Sequence, residues 1–114
     1  MLNLAQGVRI WLAVAPCDMR KQMDSLLTLV AGTHGQQAAP GNIYVFLSRR
    51  RNYARLLFID ASGICVFSKR FFDGSIGSQW ATGLDLRGET LEIPSVVLAE
   101  ILSGGRQRLR DFAA

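Results

Sequence analysis

Four arginines fall within seven residues of this chain, Arg49, Arg50, Arg51 and Arg55, and Lys69 and Arg70 close the next apolar run. Guanidinium groups packed this densely neutralise phosphates, and their planar forks suit phosphate oxygens and base edges better than an ammonium does. Tyr53 sits among them, placed either to stack on a base or to pack at a sheet edge. Acidic protein partners satisfy the same charges, and high genomic GC content also enriches arginine. The cluster therefore points to an anionic partner, with nucleic acid foremost.

Other chemistry is thinly represented. A metal-dependent nuclease or strand-transfer enzyme needs two or three convergent carboxylates. Asp60 is explained by a turn and Asp73 by an Asp-Gly loop, and Asp60 falls at the opposite end of its hairpin from Lys69 and Arg70. Cys17 and Cys65 lack CxxC spacing and, with the single His34, make no zinc site. Cys17 precedes a helix, which lowers a thiol pKa, but no base accompanies it, so it reads as a buried or incidental thiol. His34 reads as an exposed residue of the polar connector Thr33–Pro40. No GxSxG, Walker or GxGxxG pattern occurs. The expectation is no catalytic residue, no metal and no cofactor, with an enzyme using Asp18, Asp60 or Asp73 as a minor alternative.

The elements that position the basic cluster are legible from periodicity. Val8–Val14 alternates and is β-prone, and Pro16 stops it. Asp18 reads as a helix N-cap, with Met19, Met23, Leu26, Leu27 and Val30 at helical spacing and Gly32 as the C-cap. Arg20 and Lys21 then fall in the first turn, where the helix dipole disfavours cations by about 0.3–1 kcal/mol each. Either Asp18 and Asp24 compensate them, or they join the helix-start N–H groups in an anion site. Ile43–Leu47 is an unbroken apolar run, read as a strand buried on both faces.

Ala54–Ile59 and Ile64–Phe71 form a hairpin around Asp60-Ala61-Ser62-Gly63, where Asp opens the turn and Gly supplies positive φ. Antiparallel pairing brings Lys69 and Arg70 beside Arg51 and Arg55. Beyond it, Trp80 is expected to anchor a loop and Leu84–Ile93 to form a short strand or an extended segment. Pro94 is expected to open a helix carrying Val96, Val97, Ile101 and Leu102, ended by Gly104-Gly105. Arg106, Arg108 and Arg110 make a basic tail. The predicted fold is α+β: a single domain over residues 1–105 with a tail over 106–114, and a small curved antiparallel sheet of about four to five strands packed with two helices.

The whole chain of 114 residues carries a formal charge of +4, and 11 of its 13 basic residues are arginine, since only Lys21 and Lys69 are lysine. Its 49% hydrophobic and 19% charged content describes a globular protein. No apolar run reaches the roughly 18 residues of a membrane span, and Met1–Leu4 lacks signal-peptide character. A reduced, cytoplasmic setting is expected.

Gly7-Val8-Arg9-Ile10-Trp11-Leu12-Ala13 followed by Asp18-Met19-Arg20-Lys21 resembles the opening of the TnpB-type accessory proteins of family-66 insertion sequences. The resemblance continues through Gly41, Tyr44-Val45-Phe46, Arg50-Arg51-Asn52, Leu56-Leu57, Asp60, Gly63, Lys69-Arg70 and Asp73-Gly74, and ends at Leu91 and Gly104. Gln22-Met23, Ile59 and the segment Ser75–Arg87 depart from the family pattern. The resemblance implies a bacterial mobile-element protein that serves transposition beside a separate transposase, distinct from the RNA-guided nuclease sharing the TnpB name. Two readings follow. One is a non-catalytic DNA-binding factor contacting DNA through Arg49, Arg50, Arg51, Arg55, Lys69 and Arg70, with Arg20 and Lys21. The other is a module that docks onto the transposase without touching DNA.

Overall fold

In Arg9–Ala13 (β1), buried Ile10 and Leu12 alternate with residues that stay at least partly accessible. Met23–His34 (α1) carries the chain to Asn42–Leu47 (β2), and Tyr53–Ile59 (β3) pairs with Ile64–Arg70 (β4) as a hairpin. Thr90–Ile93 (β5) leads into Ser95–Leu102 (α2). The computed structural model describes residues 7–35, 37–72, 81 and 83–104. Within these the strands form one sheet in the order β4-β3-β2-β1-β5. The α+β class and the order of elements are those predicted from the sequence.

The sheet is mixed rather than wholly antiparallel. β1 and β2 run parallel, with Arg9 opposite Asn42 and Leu12 opposite Val45, because α1 returns the chain across one face before β2 begins. The pairs β1–β5, β2–β3 and β3–β4 are antiparallel.

A helix on each face explains the unbroken apolar run of β2. Ile43, Val45 and Leu47 pack with Leu12, Leu56, Leu98 and Ile101 on the α2 side. Tyr44 and Phe46 pack with Leu26, Val30 and Leu57 on the α1 side. Each fully buried Leu or Phe stabilises the fold by about 1.5–3 kcal/mol. Val96 is exposed, and Leu98 is the buried partner of Ile101 instead. Pro94 is the N-cap of α2, one residue before the expected position.

The start of α1 differs from expectation by about one turn. Asp18 is not its N-cap: its carboxylate accepts from the Arg20 backbone N–H (2.9 Å) and from the Arg20 guanidinium. A separate turn, in which Lys21 N–H donates to Asp18 O (3.1 Å), precedes an extended Gln22, and the helix begins at Met23. Arg20 and Lys21 therefore lie before the helix, not in its first turn. At the other end Gly32 stays helical and Gly35 (φ 79) is the left-handed cap. The extra turn is held by Thr90, whose hydroxyl donates to Thr33 O (3.0 Å), and by the packing of His34.

The Asp60–Gly63 turn forms, but Gly63 does not adopt positive φ. Asp60 Oδ1 holds it instead, accepting from Ser62 N–H (2.8 Å), Ser62 Oγ (3.0 Å) and Gly63 N–H (2.9 Å). The expectations for Asp73, Trp80, Gly105 and the tail over 106–114 fall outside the described residues. Among the described residues no helix is long and apolar enough to cross a membrane.

Candidate nucleic-acid interface

The arginine-rich link between β2 and β3 is a tightly bonded loop. Ser48 Oγ accepts from the N–H groups of Asn52 and Tyr53 (both 3.1 Å) and donates to Asn52 Oδ1 (2.8 Å). Ser48 N–H donates to Tyr53 O, and Arg51 N–H to Ser48 O. Phe71 N–H reaches Asn52 O (2.9 Å), so β4 braces the loop from the side. Arg51 has φ 56, the one non-glycine residue in the left-handed region among those described. Arg49 and Arg50 are exposed at the tip, and Arg51 is half-buried. Asn52 is legible in the sequence as a turn-tolerant residue, but the part of Ser48 is not, because it depends on closing the loop.

The other basic residues divide into groups with different duties. The register places Tyr53 opposite Arg70, Ala54 opposite Lys69 and Arg55 opposite Ser68. Alternation then puts Tyr53, Arg55 and Arg70 on the α1 face, and Lys69 on the α2 face. Arg55 donates to Ser68 Oγ (3.1 Å) and to the carbonyls of Met19 and Lys21, clamping the segment before α1 onto β3. This clamp brings Arg20 and Lys21 close to Arg55. Lys69 Nζ donates to Leu102 O (2.6 Å) at the end of α2 and lies 5.3 Å from the centre of the Phe71 ring. Arg70 is exposed. The basic residues thus gather at one end of the hairpin but on both faces of the sheet, not as one cluster, and Arg55 and Lys69 are already bonded to backbone carbonyls.

Two of the carboxylates raised as chemical candidates, Asp18 and Asp60, have structural roles. Hydrogen bonding from Arg20 lowers the Asp18 carboxyl to about 2. The Asp60 carboxyl is lowered by Ser62 N–H first, then by the Ser62 hydroxyl and Gly63 N–H. Cys17 is buried, and burial pushes its thiol up, opposite to the activation a helix start would give. No group of three or more His, Cys, Asp or Glu residues that would hold a metal occurs among the described residues.

His34 is the last residue of α1, not a loop residue. Its ring lies 4.4 Å from that of Trp11 and 5.6 Å from that of Tyr44. Trp11 Nε1 donates to Asn42 Oδ1 (3.3 Å), and Tyr44 OH accepts from Asn42 Nδ2 (3.2 Å) and Ala39 N–H (3.3 Å). Beside this group the Arg9 guanidinium forms a two-pronged ion pair with Glu92 (both 2.9 Å), tying β1 to β5.

A cleft of about 160 Å³ opens where β1 and β2 end side by side. Val14, Ala15, Pro16, Leu47 and Leu86 form its apolar walls, and Ser48, Arg49 and Arg51 line it from the loop. Parallel strands expose both carboxyl ends on one side, and the chain must leave each of them, which opens a crevice between the departing segments.

Comparison with known proteins gives a consistent result. The family model described as IS66 Orf2 like protein matches residues 8–106. The uncharacterized protein y4hO of Sinorhizobium fredii is 31% identical over 104 residues, covering 91% of this chain and 86% of the relative. The uncharacterized protein y4jC of the same organism is 32% identical over 69 residues, covering 60% of this chain and 59% of the relative. No solved structure matches this chain.

Proposed function

Because this chain belongs to the IS66 Orf2-like family of insertion-sequence accessory proteins, we propose that it is a cytoplasmic, non-catalytic DNA-binding factor that serves transposition beside the element's transposase. The observation that carries the proposal is the bonded loop holding Arg49 and Arg50 exposed at the end of the sheet. Rigid presentation lowers the entropy lost when arginine meets a phosphate. Arg70 on the neighbouring strand and Lys21 beside Arg55 extend the positive surface around the same end. Arg20 contributes less, since its guanidinium is held by Asp18.

The test is titration of the protein into labelled duplex DNA, with and without the element's terminal repeats, at two salt concentrations. Salt-sensitive binding that is lost in Arg49→Ala/Arg50→Ala supports the reading, and preference for the repeats assigns it to the element ends. Absence of binding at low salt overturns it.

A second reading has its own support. Among the described residues β4 is an edge strand, with Phe67 48% exposed and Phe72 fully exposed beside it. An open edge bearing aromatic groups suits strand addition by a protein partner, for which the transposase is the candidate. On this reading the protein binds the transposase and ignores naked DNA.

A further inference from the structure

The cleft between the ends of β1 and β2 combines two features that duplex binding does not require. Its walls are apolar, from Val14, Pro16, Leu47 and Leu86, and its rim carries Arg49 and Arg51. Among the described residues lining it there is no carboxylate. A duplex presents phosphates on a convex surface with its bases stacked inside, so it would engage the rim and leave the apolar walls uncovered. A free inorganic anion would do the same. The group that matches both is one with a flat, weakly polar ring joined to a phosphate.

We propose that this cleft seats a single unpaired nucleotide of DNA, with the base against Pro16 and Leu86 and its phosphate at Arg49 and Arg51. The inference rests on the DNA-binding reading above and narrows it from duplex to a strand end or an extruded base. Two further observations favour a nucleotide. The volume of about 160 Å³ is below the roughly 300–1,000 Å³ of pockets that enclose a whole drug-sized ligand, which suits one ring system held by its edge and face. Arg51 also keeps a left-handed backbone that glycine or asparagine would adopt more easily, and strained conformations of this kind concentrate at binding sites. The site reads ring and charge together, as pockets that accept flipped bases do, with apolar contact to the base face and cations on the backbone.

The test compares three labelled DNAs of one sequence: a blunt duplex, the duplex with one unpaired terminal nucleotide, and the same with an abasic terminal residue. Each is titrated into the wild type and into Ala15→Leu, which fills the cleft from an exposed position without changing charge or adding an aromatic face. The expected result is a preference of the order of tenfold for the unpaired nucleotide over the abasic end, absent in Ala15→Leu, with blunt-duplex affinity equal in the two proteins. An unchanged urea midpoint shows that the variant is folded. Equal affinity for the base-bearing and abasic ends overturns the inference while leaving duplex binding intact. A preference that survives Ala15→Leu also overturns it, by locating the nucleotide elsewhere. Failure to bind any of the three DNAs removes the DNA-binding reading and this inference with it.

Discussion

The ammonium of Lys69 on β4 donates to the carbonyl of Leu102 at the end of α2, 33 residues away, at 2.6 Å. A helix leaves its last carbonyls without intrahelical donors, and a cation there also opposes the negative end of the helix dipole. Lys69 thus joins the sheet edge to the second helix, which is a different duty from contacting phosphate.

Lys69→Met should therefore lower stability by about 0.3–1 kcal/mol, read as a reduced urea midpoint. DNA affinity should fall less than in Arg49→Ala. An unchanged midpoint with a large loss of DNA binding would reverse this assignment.

Arg55→Met should loosen the segment before α1, because the carbonyls of Met19 and Lys21 lose a charged donor. A cost of about 1.5–3 kcal/mol is expected, since hydrogen bonds to charged groups lie in that range. Arg55→Lys should restore only part of it, as an ammonium cannot reproduce the fork. Hydrogen exchange of the amides at 17–22 distinguishes local loosening from global destabilisation.

Arg51→Gly should separate stability from binding. Glycine enters the left-handed region without the Cβ penalty of about 1–2 kcal/mol, so the folded loop is relieved, offset in part by glycine's greater freedom when unfolded. The variant should keep or slightly raise its melting temperature while binding DNA more weakly. A marked loss of stability would show that the Arg51 side chain itself holds the loop.

The salt dependence of binding counts phosphate contacts. Removing Arg49 and Arg50 together should reduce the slope of log affinity against log salt by about two, given about 0.9 per phosphate on duplex DNA. An unchanged slope would place the phosphates on other residues.

Acid should weaken the turn before α1. The Asp18 carboxyl is lowered from 3.8 to about 2 by its hydrogen bonds with Arg20. A depressed carboxylate pKa stabilises the fold fully above the unfolded value, and that contribution is lost as pH falls through the folded one. Wild type should therefore lose more of its urea midpoint between about pH 4 and pH 2 than Asp18→Asn, which cannot titrate. Parallel curves for the two proteins would remove Asp18 from this role.

Much of the fold was legible because each strand announces itself locally. Ile43–Leu47 has no alternation, and burial on both faces by two helices is what such a run requires. The parallel pairing of β1 and β2 was not legible, since the residues of β1 suit either direction and only the path of α1 decides. Asp18 misled because a side chain that caps a helix also caps an isolated turn, and Arg20 two residues on favoured the turn.

The convergence of basic residues at one end of the hairpin followed from antiparallel register. The division of Arg55 and Lys69 into structural duties did not, because both bond carbonyls more than 30 residues away. Val96 and Leu98 exchanged places for a similar reason: both fit an amphipathic pattern in eight residues, and the sheet selects the face.

The position of β1 between β2 and β5 has a consequence for how the chain is made. Arg9 and its ion-pair partner Glu92 are 83 residues apart, yet they sit on adjacent strands. At about 5–20 residues per second, a ribosome takes roughly 4–17 s to pass from one to the other. During that interval β1 can meet β2 and α1, but its other edge has no strand to join, and the face that α2 will cover stays wet. The nascent chain is therefore most exposed to wrong pairing while its first strand waits for its last. A chaperone that delays collapse until Thr90–Leu102 has emerged would raise the yield of folded protein without touching the finished structure.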